Sequence, residues 1–141
     1  MARNPRLQYC SRPAGNGVIA VKERPISRTL TSTAALDELS EQMGRETCRQ
    51  FVDNYIEMWN GRFERLAAAL EEPDFAGAMD VVLSIKISSQ MAGAVRLAGY
   101  ASIAQDMVGA ADHAGLVSLL DPLQSCGQET VRALSESLSR L

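Results

Sequence analysis

At 141 residues the chain is long enough for one domain with a substantial core and too short for two. Hydrophobic residues make up 46% and aromatic residues 5%, and no apolar run reaches the length of a membrane span, which argues against membrane insertion. The net charge of -3 is unevenly divided: Arg3, Arg6, Arg12, Lys22, Arg24 and Arg28 face Glu23 alone in residues 1–30, while the rest holds 8 basic and 16 acidic residues, so the bulk field of the domain disfavours a nucleic-acid partner.

Residues 1–30 read as a basic leader, extended or flexible. Pro5, Pro13 and Pro25 and the run PAGNG break any helical period. GVIAVKE and LQYC offer at most a short hairpin, which is marginal in isolation. The first residues carry charge but no apolar h-region, so no secretory signal is expected and the cytoplasm is the expected location.

From Thr31 the pattern turns helical, and residues 31–141 read as one domain. In STAALDELSEQMG, Ser32 or Thr33 can cap a first helix, Leu36, Leu39 and Met43 form its stripe, and Gly44 ends it. A long second helix is expected from about Arg45 to Leu70, with TCRQ as a capping box. Phe51, Val52, Tyr55, Ile56, Trp59, Phe63, Leu66 and Leu70 recur at three and four residues, the strongest periodic signal in the chain. EEPD breaks that helix, and its carboxylates Glu71, Glu72 and Asp74 read as a solvated link. Asp74 caps a third helix that closes near Gly93. A fourth runs from about Ala94 to Val108, with Leu97, Ala101, Ala104 and Val108 inward. After the link GAADHAG, a last segment carries Leu116, Leu120, Leu123, Val131, Leu134, Leu138 and Leu141 in register. Asp121-Pro122 either kinks it or starts a further helix. Short links between amphipathic helices imply antiparallel neighbours. The expected fold is all-α: an up-down four-helix bundle with a short leading helix. Trp59, Phe63, Val82, Ile85, Leu97 and Leu134 are its expected core.

Cys10, Cys48 and Cys126 lack metal-ligand spacing, and an odd count argues against a disulfide framework. Cys48 and Cys126 read as small buried hydrophobes. There is no Gly-rich phosphate loop, no HExxH and no nucleophile elbow, so neither cofactor nor metal is expected.

The third helix holds the unusual stretch, VVLSIKISSQMAGAVRL over Val81–Leu97. Val82, Ile85 and Ser89 share an inward stripe. Leu83 and Ile87 lie one turn apart and point away from it, beside a lone Lys86. Ile85, Lys86, Ser88, Ser89, Gly93, Ala94 and Leu97 stand at spacings that resemble the signature of the histidine-containing phosphotransfer (HPt) domain of bacterial two-component phosphorelays. That signature runs His, any residue, Leu, Lys, Gly, Ser, then Ser or Ala, three variable residues, Gly and Ala. The helix layout from Leu36 to Leu138 resembles the family as well.

The resemblance places Leu83 where the family has its phosphoacceptor histidine and Ile87 where it has glycine. Leucine offers no nucleophilic atom. Ser84 is rotated by about 100° around the helix and has no activating base nearby. Ser88 and Ser89 match family positions that serve packing. His113 lies outside the motif, in the link after the fourth helix, and reads as a solvated or capping residue. Lys86 fits two readings: the family lysine that attends the phosphate, or a surface lysine snorkelling at the core's edge.

The resemblance thus implies a non-enzymatic signalling module. It would dock a receiver domain or a histidine kinase through a face built from Met79, Asp80, Leu83, Ser84, Lys86, Ile87 and Gln90. Self-association into a homodimer through Leu83 and Ile87 is the alternative. An active phosphocarrier with another acceptor ranks third.

Overall fold

The computed structural model describes residues 26–140. Most of the basic leader, with the suggested hairpin and Cys10, lies outside the described residues, as does Leu141. Among the described residues there are five helices and no strand: α1 (Thr33–Met43), α2 (Arg45–Glu71), α3 (Phe75–Ala92), α4 (Val95–Gly109) and α5 (His113–Leu138). α2 packs on α3, α3 on α4, α4 on α5, and α5 closes the ring on α2. Links of two or three residues force antiparallel neighbours, and the four long helices form the expected up-down bundle. α1 lies across one end, against α2 and α3.

The helix limits follow from local chemistry. Ser32 caps α1, its hydroxyl accepting from Ala35 N at 3.2 Å. Asp74 caps α3 through Gly77 N and Asp112 caps α5 through Gly115 N, each at 3.0 Å. Glu71, Glu72 and Asp74 are all exposed at the α2–α3 turn. Gly93 ends α3 with φ 74 in the left-handed region, its N–H turned back to Ser89 and Gln90 carbonyls.

The capping box expected at Thr47 is not formed. α2 starts at Arg45 with Gly44 as its N-cap and no side-chain cap, because Gly44 also ends α1, giving its N–H to Ser40 O. One residue serves two helices, and Thr47 is left exposed inside the first turn. Pro122 does not restart a helix. It lies within a continuous α5 on the exposed side, where water can satisfy the carbonyl of Ser118, also exposed.

The core runs along the bundle axis. Trp59, Leu66, Val82, Ile85, Leu97, Leu116, Leu123 and Leu134 are buried, as are Cys48 and Cys126. Phe63 was expected among them and stands at the rim instead, half-buried, its ring centroid 5.9 Å from that of Trp59. The Trp59 indole rests on α5 at Gly127, where a Cβ would fall 1.9 Å from a ring carbon. Only a glycine permits that approach.

Ile26–Leu30 reach the bundle without regular secondary structure. Leu30 packs against the core and its carbonyl accepts from Arg96 N at 3.4 Å. The Arg96 guanidinium donates to the carbonyls of Ser27 and Arg28 and lies 3.7 Å from Glu129. No described helix is long and apolar enough to cross a membrane.

Candidate functional site

The outer face of α3 is built by a helix whose other face is fully committed. Ala78, Val81, Val82, Ile85, Ser89 and Ala92 are buried between α2 and α4. Ser89 is the polar member of that set. Its hydroxyl shares a 2.5 Å hydrogen bond with the buried Tyr55 hydroxyl. Burial pushes the Tyr55 pKa up to about 12, against smaller lowering by the Ser89 bond and by Arg62. The neighbouring Ser88 hydroxyl donates to Ser84 O at 2.6 Å and accepts from Arg62 Nη1 at 3.0 Å. Ser88 and Ser89 thus tie α3 to itself and to α2, a structural role for both.

The seven residues picked from the sequence share one side of α3. Asp80, Ser84, Ile87 and Gln90 are exposed, and Met79, Leu83 and Lys86 are half-buried. Ile87 is 55% exposed, the most open large hydrophobic side chain described. Lys86 lies along the α4 edge and donates from Nζ to Gln105 Oε1 at 2.9 Å. It meets no carboxylate there. Ala76 is exposed one turn before Asp80.

His113 is not a residue of the link. It is the first residue of α5, half-buried, and its Nε2–H donates to Leu70 O at 2.6 Å. The ring joins α5 to the last turn of α2 and fills one of the carbonyls that a helix end leaves open. It is engaged at the α2–α3 turn rather than on the outer face of α3.

Residues that the sequence pattern did not single out complete the surface. Met58 and Met91 are 46% and 41% exposed. Arg62 reaches from α2 to Ser88 and places its Nη2 3.7 Å from Met58 Sδ. Burial lowers the Arg62 pKa. A signal for Arg62 does exist in the sequence. Cys48, Val52, Tyr55, Trp59, Leu66 and Leu70 repeat at fours and threes, and position 62 completes that rhythm with a charge.

Chemically, the outer face offers hydrocarbon at its centre and two cations at its edges. It offers no imidazole. Ser84 is exposed, and its carbonyl is the group engaged, by Ser88. Among the described residues no cluster of His, Cys, Asp or Glu is arranged to hold a metal ion.

This arrangement of helices has a solved counterpart. The crystal structure of histidine-containing phosphotransfer protein B (HptB) from Pseudomonas aeruginosa PAO1 matches with a TM-score of 0.74 at 21% identity, over 82% of this chain and 99% of that one. The chain therefore has an HPt-like helical-bundle fold. No family model and no curated protein matches the sequence.

Proposed function

We propose that this chain is a phosphorelay-type signalling module that docks a receiver domain or a histidine kinase through the outer face of α3 and does not itself carry phosphoryl groups. In this reading it is a binding protein and not an enzyme. One observation carries the proposal: a chain with an HPt-like fold has Lys86, Ser88, Ser89, Gly93 and Ala94 at spacings that resemble the HPt motif, and leucine at position 83, where the resemblance puts the acceptor. Phosphoryl transfer needs an attacking atom with a lone pair, and leucine has none. Ile87 one turn on is branched and open to solvent, where the motif has glycine and hence room for an approaching partner. A site emptied of its nucleophile and coated with hydrocarbon keeps the means to bind while losing the means to react.

The test is direct binding. Receiver domains and kinase domains from the source organism are titrated against the full chain and against Ile87→Asp by calorimetry. At least one should bind the natural chain, and the aspartate should weaken it by an order of magnitude or more. A panel with no binder sinks the proposal. So does binding that Ile87→Asp leaves unchanged, since the contact would then lie elsewhere.

A further inference from the structure

Arg62 is out of keeping with its position. It stands in the inward stripe of α2, between the buried Trp59 and Leu66, where the spacing calls for an apolar side chain. Its guanidinium is half-buried, and its three nitrogens are poorly served. Nη1 donates to Ser88 Oγ at 3.0 Å. Nη2 has the Met58 thioether at 3.7 Å, a weak acceptor. Nε is buried with no acceptor among the described residues. No carboxylate pairs with this cation among the described residues. A desolvated charge without a counter-ion weakens a fold, so its presence in this stripe points to a use outside the fold.

The guanidinium has a shape that suggests one. Nε–H and Nη2–H lie along one edge and together take both oxygens of a carboxylate. On that edge Met58 Sδ lies 3.7 Å from Nη2, and Met58 is 46% exposed and so can swing clear. Beside it, Ile87 and Met91 flank Ser88 on α3 and are 55% and 41% exposed. A cation with one unserved nitrogen therefore borders an apolar patch that lacks a cover.

Resting on the docking reading above, we propose that Arg62 anchors the partner through a carboxylate. An aspartate or glutamate of the partner displaces the Met58 thioether from the Nε–Nη2 edge, and an apolar side chain next to it covers Ile87 and Met91. The docking surface then extends from α3 onto α2. A second copy of this chain is a poor occupant. A two-fold pairing of these faces would gather Arg62 and Lys86 from both copies, while α3 supplies Asp80 as its only acid.

The probe is a soluble peptide of alternating Glu and Leu, titrated into the isotope-labelled full chain. NMR follows the Arg62 Nε–H signal and the methyl signals of Met58 and Met91. All three should move together and saturate. Arg62→Gln should weaken the peptide by about tenfold, as loss of a charge-assisted pair does. Arg62→Lys, which keeps the charge and loses the fork, should recover only part of that. A peptide with Gln in place of Glu should bind as weakly to the natural chain as the Glu peptide binds to Arg62→Gln. An Arg62 Nε–H signal that stays in place at millimolar peptide overturns the proposal, as does equal affinity of the natural chain and Arg62→Gln. A dimer in sedimentation that Arg62→Glu dissociates also overturns it, because a second copy would then be the occupant. A receiver domain separates the two readings. If it binds the natural chain and Arg62→Gln alike, the anchor fails and the docking module stands. If no receiver or kinase binds while the peptide engages Arg62, the anchor stands and the choice of partner fails.

Discussion

The inner and outer faces of α3 are both rich in aliphatic side chains, yet only the inner one behaves as its composition demands. Inside, Ala78, Val82, Ile85 and Ala92 are buried, and the one polar member, Ser89, meets the Tyr55 hydroxyl. Every group there has what it needs, as packing and hydrogen bonding require of an interior. Outside, Ile87 and Met91 lie open to solvent and Arg62 has a buried nitrogen with no acceptor. Isolated exposed aliphatics are ordinary. Their grouping with an under-bonded cation, on the helix whose sequence resembles the phosphotransfer motif, is what sets this face apart. Helix α3 therefore holds the bundle together with one side and leaves the other side unfinished. In the proposed function, the unfinished side is where a partner would bind.

The sharpest way to break this contrast is a matched pair of truncations. Ile85→Ala should cost about 2–5 kcal/mol in denaturant unfolding, as expected for a fully buried side chain. Ile87→Ala, two residues on, should fall within about 0.5 kcal/mol of the natural chain. Similar costs at the two positions would mean that the facing of α3 is wrong. The next largest effect belongs to the α2–α5 contact. Gly127→Ala puts a methyl group on the Trp59 ring and should destabilise by about 1–3 kcal/mol. A shift in Trp59 fluorescence should accompany the loss.

The Tyr55–Ser89 pair sharpens the inner face through pH. An unfolded tyrosine ionises from its ordinary value of 10.0, whereas the folded Tyr55 is held neutral to about 12. Its contribution is fully present below pH 10 and is lost as pH rises through 12, with a slope approaching about 1.4 kcal/mol per pH unit between them. Tyr55→Phe should lack that component, so the two stability curves should converge across the window. Parallel curves would show that Tyr55 is not buried as described. The smallest effect is expected at Arg62. Arg62→Met removes a desolvated cation and fills its place with hydrocarbon, so the unfolding midpoint should rise slightly. A clear fall would assign Arg62 to the fold and not to the surface.

Much of the bundle was legible in the sequence because local signals and the global fold agree. Ser32, Gly44, Asp74 and Gly93 mark helix ends by their own chemistry, and each stands where the structure needs it. The stripe of Val82, Ile85 and Ser89 faces inward as its period requires. The misreadings come from residues whose role is decided by a neighbour far along the chain. Thr47 looks like a cap until Gly44 is seen to close one helix and open the next. Phe63 follows the periodic pattern of α2 but reaches only the rim, because the buried rhythm of Tyr55, Trp59 and Leu66 passes through position 62 and not 63. His113 looks like a link residue, and the Leu70 carbonyl that engages it is 43 positions away. Arg62 was passed over because a charge does not count toward an apolar stripe, although its place in that stripe is what desolvates it. The face around Leu83 was legible only through a motif, and burial alone would not have separated it from any other outer helix face.

The central proposal is that position 83 lacks an acceptor for phosphoryl groups while the surface around it serves binding. The most direct measurement is phosphoryl transfer from phosphorylated receiver domains of the source organism, followed by acid treatment of the labelled chain. The natural protein should acquire no acid-labile phosphate. Leu83→His should acquire little, because Ile87 crowds the imidazole, and Leu83→His with Ile87→Gly should acquire some, at a helix-propensity cost of about 1 kcal/mol that the bundle can bear. Acid-labile phosphate on the natural chain would contradict the account, since it would place a working nucleophile on a face that this structure fills with hydrocarbon.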